Sequence, residues 1–128
     1  MKRIFTIILI VQSLLLAPMA HAQTYWNGTV DKSWTGSGTA DDPILISTAE
    51  QLAGFADSVN RGDDFSGRYI ELAADIYLSD STLGDSLKHE WEHPIGQFQS
   101  GGSGWEYTLD TAWFRGYFDG KNHTIYNL

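Results

Sequence analysis

His89-Glu-Trp-Glu-His93 is the run whose residue types and spacing could do metal chemistry. Two histidines at this spacing share one face of a helix and can hold zinc, with the first glutamate as general base on a zinc-bound water. Gly96 extends the likeness. The setting argues against it. Pro94 follows His93 directly, and a proline disfavours helical angles in the residue before it. A catalytic zinc also needs a third protein ligand, and the position where a metzincin would carry it holds Gln99. The run is therefore read as a polar loop in which Trp91 and Ile95 pack inward.

No other set of residues announces a reaction. The chain has no cysteine, so thiol nucleophiles, thiolate ligands and disulfides are excluded. There is no G-x-S-x-G elbow and no glycine loop shaped for phosphate. Asp41-Asp42 and Asp63-Asp64 lie in turn-like stretches, where aspartate is favoured for backbone geometry alone. They lack the alternating spacing of a helix–loop calcium site. A glycosidase pair stays open, because its two carboxylates can be far apart in sequence, but no residue is singled out. The expectation is no catalytic, metal-binding or cofactor-binding residue, and no cofactor. Asn27-Gly-Thr29 and Asn122-His-Thr124 match the glycosylation sequon and are read as chance matches.

The N-terminus carries an address. Lys2 and Arg3 precede an apolar run from Ile4 to Ala17, and Ala20-His21-Ala22 supplies small residues for signal peptidase before Gln23. The run is shorter than the roughly 20 residues of a spanning helix. A signal peptide over 1–22, cleaved after Ala22, is expected, with no transmembrane segment after cleavage and a secreted or cell-surface product. The formal net charge of −8 becomes more negative once Lys2 and Arg3 leave. Such a field repels nucleic acid and anionic membranes; the simplest reading of the acidic residues is solubility.

The remaining chain, 23–128, is at most one domain. Thr24 to Asp42 is glycine-rich and reads as an irregular lead-in, with Trp26 and Trp34 as anchors. Pro43-Ile-Leu-Ile46 suits a first or edge strand. A helix is expected over about 48–60. Ser47 or Thr48 can cap it, and Glu50 or Gln51 can complete a capping box. Leu52, Phe55, Ala56 and Val59 form one apolar stripe, suggesting a lid laid on an apolar surface. Gly62 can take the left-handed cap.

From Arg68 the period becomes two: Ile70, Leu72, Ala74, Ile76 and Leu78 point one way, and a bend is expected near Ala74-Asp75 because the run is long for one strand. Trp91 to Gly96 reads as a short strand entering a turn, Gln99 to Gly104 as a flexible insertion, and Trp105 to Leu109 as another short strand. Asp119-Gly120 is a tight-turn pair. Ile125 and Leu128, three apart, imply a corner at Tyr126-Asn127. The chain stops within an apolar stretch, so a truncated array is expected.

These residues add up to a resemblance. Trp34 to Ala53, with Pro43-Ile-Leu-Ile46 at its centre, looks like the opening of secreted β-helix repeat proteins of Bacteroides-type bacteria, the pectin-lyase-like group whose later coils carry GLUG repeats. The likeness continues through Val59-Asn60, Phe65-Ser-Gly-Arg-Tyr-Ile-Glu-Leu72, Asp75-Ile76, Pro94-Ile-Gly96, Phe118 to Ile125 and Asn127-Leu128. The usual turn, Asp-Gly-Asn-Gly-His, here reads Asp119-Gly-Lys-Asn-His123. No GLUG repeat is present, and no catalytic residue carries over.

The resemblance implies a mostly β chain: the N-terminal cap and first coils of a right-handed parallel β-helix, with the one amphipathic helix closing the first coil and Asp119-Gly120 at a corner of the next. It implies a non-catalytic extracellular module that binds or adheres to an extracellular protein or glycan. Two alternatives stand beside it: the cap of a secreted polysaccharide lyase or hydrolase, and a small protein that self-associates through an open coil edge.

Overall fold

The computed structural model describes residues 23–80, 82–83, 89, 91, 94–96, 98–101 and 108–128. The leader expected over 1–22, and Glu90, Glu92 and His93 of the zinc-like run, lie outside them. The described chain holds one helix and short, mainly parallel strands. They are β1 (Ile44–Ile46), α1 (Ala49–Asn60), β2 (Tyr69–Leu72), β3 (Ile76–Tyr77), β4 (Phe98–Gly101), β5 (Thr108–Thr111), β6 (Tyr117–Asp119) and β7 (Ile125–Tyr126).

The helix begins and ends where its residues say it should. Thr48 caps it, accepting from the Gln51 N–H at 3.2 Å, and the Gln51 side chain reaches back to the Ser47 N–H at 2.9 Å. The orphan donors of the first turn are thereby satisfied reciprocally. At the other end Gly62 takes a φ of 102°. Gly62 donates to the Val59 carbonyl and Asp63 to the Ser58 carbonyl, the two bonds of a Schellman motif.

Leu52, Phe55, Ala56 and Val59 are all buried as their spacing predicts, and Ala49, Ala53 and Gly54 are buried beside them. Each large apolar side chain so placed contributes about 1.5–3 kcal/mol. The buried surface is wider than a lid's single stripe. The lead-in crosses the helix at Gly54, where an added Cβ would lie 2.0 Å from the Asp31 carbonyl oxygen, and Asp31 N–H donates to the Glu50 carbonyl. The helix is thus sandwiched between lead-in and strands.

The strands form a parallel sheet in the order β1-β2-β6 and a parallel pair β3-β7. Ile44, Ile70 and Phe118 align across the first sheet, and Ile76 with Ile125 across the second. The run from Arg68 does break at 73–75, with Ile70, Leu72, Ile76 and Leu78 buried on either side of the bend. Tyr25 adds a parallel bridge to Tyr77. Phe65 closes the core from an unusual position: it is buried at a φ of 50°, a left-handed conformation that costs roughly 1–2 kcal/mol. Its ring lies edge-on to Phe55 at 5.0 Å, and Asp63 and Asp64 hold the surrounding turn by accepting from the Phe65 and Ser66 amides.

Four expectations need correction. The turn pair expected at Asp119-Gly120 falls two residues later. Lys121 and Asn122 both have positive φ and His123 N–H donates to the Gly120 carbonyl, a type I′ geometry, because Asp119 Oδ1 accepts from Lys121 N–H and fixes the preceding residues. Trp91 and Pro94–Gly96 are not strand, and Ile95 is exposed rather than packed inward, whereas Trp91 does pack on the core. Gln99–Gly101 is strand, not loose insertion: β4 pairs antiparallel with β5, which begins at Thr108. Leu128 is 87% exposed and does not continue the inward column, although Asn127 turns the corner at a φ of 57°.

Candidate functional site

The β2–β3 bend and the first turn of α1 leave a cleft of about 430 Å³ between them. Gln23 and Thr24 form one wall, Ser47, Thr48 and Glu50 another, and Asp75, Ile76 and Tyr77 the third. Its polar groups are unequal. Asp75 is committed: its Oδ1 accepts from Thr124 N–H at 3.0 Å and lies 3.2 Å from His123 Nδ1. The Thr124 amide first, and then His123, hold the Asp75 carboxyl below its ordinary value. Glu50 has no ion-pair partner among the described residues. The cleft therefore offers one uncommitted carboxylate and the hydroxyls of Thr24 and Ser47.

That set can accept and donate hydrogen bonds. It holds no nucleophile paired with a base. Tyr77 adds little stacking surface, since Tyr126 lies over it at 4.6 Å and 7°, and Tyr25 meets it edge-on at 5.9 Å. A second outward row pairs Tyr69 with Tyr117 at 4.6 Å and 16°. Only the far members, Tyr117 and Tyr126, are not followed by another tyrosine among the described residues.

Most of the other described acidic residues serve turns and ion pairs. Asp42 accepts from Ser37 N–H, and Asp31 accepts from the side chain and amide of Ser33. The Ser33 hydroxyl, then its amide, keep the Asp31 carboxyl below the usual range. Lys32 and then Arg61 do the same for Asp57, both within 2.8 Å. Lys121 bridges Glu71 at 2.9 Å and Asp119 at 3.3 Å; Glu71 first, then Asp119, push its ammonium upward. Exposed pairs of this kind contribute little each.

His89, the described histidine of the zinc-like run, stands near Trp26, ring centroids 6.1 Å apart, and close to Gly28. Among the described residues no group of three or more His, Asp or Glu could hold a metal ion, and no helix is long and apolar enough to cross a membrane. The structure does join two separated motifs. The Asn60 side chain donates to the Pro94 carbonyl and accepts from Gly96 N–H, both at 3.0 Å. An asparagine just before a helix stop was the available signal for that clamp. The tyrosine rows were signalled too, by the pair of tyrosines flanking each bend.

No family model, curated protein or solved structure matches this chain. What it does rests on its own residues.

Proposed function

We propose that the chain is a non-catalytic extracellular binding module: the cap and first coils of a right-handed parallel β-helix, exported by its signal peptide. The supporting observation is the repeated path. β2 bends into β3 and β6 turns into β7, and each strand of the second path lies parallel and in register on its counterpart in the first. Stacked units of this kind bury a continuous apolar column and leave outward side chains free to vary. The commitment of most described carboxylates to turns and ion pairs favours binding over hydrolysis. Fold alone does not fix function, so the module's partner is proposed only by class, an extracellular protein or glycan.

Expression of the whole coding sequence in a secreting bacterium tests the address: the exported product should begin at Gln23. That product, passed over immobilised neutral and acidic polysaccharides, should be retained saturably without releasing soluble fragments. Release of reducing ends or unsaturated sugars would replace this reading with the lyase or hydrolase alternative.

A further inference from the structure

We propose that Asn27-Gly28-Thr29 is a self-modifying site, at which Asn27 loses its side-chain amide through attack by the Gly28 backbone nitrogen. The inference does not depend on what the module binds. Asn27 is the one asparagine of the chain followed by glycine, and Asn27, Gly28 and Thr29 are all exposed. Asn27 Oδ1 accepts from the Thr29 N–H at 2.9 Å and from the Thr29 hydroxyl at 2.6 Å. Two donors on one amide oxygen draw electrons from its carbon and meet the charge that develops there on attack. Asp31 with Ser33 and Asp80 with Thr82 make the same turn. Those turns present carboxylates, which have no amide to lose.

The attacking side is equally particular. Gly28 has a φ of 84°, and an added Cβ there would lie 2.8 Å from His89 Nδ1 and 3.0 Å from its Cε1. The imidazole therefore packs directly on this glycine, and no side chain screens the peptide nitrogen. Trp26 meets the ring at an edge, with centroids 6.1 Å apart. Attack must release the Gly28 N–H proton, and an imidazole in this place can take it and pass it to the departing nitrogen.

The step balances without any further reagent than water. The Gly28 nitrogen bonds to Asn27 Cγ, the Cγ–Nδ2 bond breaks, and ammonia leaves carrying the Gly28 proton. Water then opens the cyclic imide at either carbonyl, leaving aspartate or its β-linked isomer and a new negative charge. In the β-linked product the main chain runs through the former side chain and is longer by one carbon between Trp26 and Thr29. Those two residues are joined by the Trp26 Nε1–H donating to the Thr29 carbonyl at 2.8 Å, and Trp26 is only 7% exposed. The modification thus loosens one of the anchors that hold the lead-in on the core.

Peptide mapping of the purified product of the whole coding sequence, incubated at neutral pH, tests this, with ammonia release and labelling by an isoaspartyl methyltransferase as readouts. The same product unfolded in urea is the reference for a bare Asn-Gly sequence. The folded chain should convert about tenfold faster than the unfolded one. Thr29→Val, which keeps the shape and removes the hydroxyl, and His89→Gln should each slow the folded chain about three- to tenfold. Near-ultraviolet circular dichroism checks that both variants fold, and tryptophan emission should move to longer wavelength as the β-linked product accumulates. A folded rate no higher than the unfolded one, a wild-type rate in either variant, or carbohydrate found on Asn27 would each overturn the proposal.

Discussion

The two ends of the parallel stack are built from the same kinds of residue and finished differently. At the β1 end the lead-in bridges Leu45, crosses α1 at Gly54 and brings Trp26 and Trp34 onto the core. Ile44 and Ile46 are consequently almost fully buried. At the β6 end Tyr117, Phe118, Tyr126 and Leu128 all remain exposed. The difference teaches that the β1 end of the sheet is made stable by what lies outside the sheet, not by the sheet. Three parallel strands of three or four residues would not stand alone.

Breaking one ring in the core and one at the β6 end gives the largest contrast. Phe55 is 1% exposed and meets Phe65, Phe114 and Phe118 with centroids 5.0, 5.3 and 5.8 Å away. Phe55→Ala should cost about 3–5 kcal/mol in urea unfolding, and Phe118→Ala only about 1–2 kcal/mol. Equal losses would mean that the β6 end is as tightly packed as the core.

A methyl group sharpens the comparison next. Gly54→Ala improves helix propensity by about 1 kcal/mol, yet its Cβ would press on the Asp31 carbonyl. A net loss of about 1–3 kcal/mol is expected, with a shift in tryptophan emission as Trp26 and Trp34 move. A gain in stability would show that the lead-in yields without consequence for the core.

The smallest effect is electrostatic. Asp75 joins the β2–β3 bend to the Thr124 amide and His123. Its pKa is lower folded than unfolded, so its ionised form stabilises the fold above the ordinary aspartate value of about 3.9 and that contribution fades as pH falls through the folded value. Asp75→Asn keeps an acceptor and removes the charge. Its urea midpoint should fall below wild type at pH 7, and the two should converge as pH falls below the folded value. A gap independent of pH would assign the Asp75 contribution to shape alone.

What could be read in the residues beforehand was what depends on local rules. The capping pair Thr48 and Gln51, the stripe from Leu52 to Val59, the Gly62 stop and the alternation from Ile70 to Leu78 each follow from spacing and side-chain chemistry within a few residues. The corner at Tyr126-Asn127 followed from the broken alternation around it; that Asn127 turns it in a left-handed conformation is seen only in the structure. What could not be read depends on partners distant in sequence. Ile95 looks like a core residue until Asn60 is seen to hold its neighbours at the surface. Gln99 to Gly101 looks like linker because its pairing partner begins only at Thr108. The turn at Lys121-Asn122 was displaced from the glycine because the Asp119 side chain claimed the Lys121 amide. The cleft was invisible for the same reason, being assembled from three separated segments.

The long excursion between β3 and β6 has a consequence for how this chain finds its shape. Tyr69 and Tyr117 are nearly twice as far apart in sequence as Ile44 and Ile70, yet each pair meets as neighbours across one sheet. Loop closure grows only logarithmically, and a doubling of length costs about 0.6 kcal/mol. The second layer is thus penalised mainly in time rather than in equilibrium stability: distant contacts slow the search even when they hold well once made. Nucleation should fall on the helix and β1–β2, with β6 and β7 added afterwards. Lengthening or shortening the excursion would then change the tempo of assembly more than its outcome.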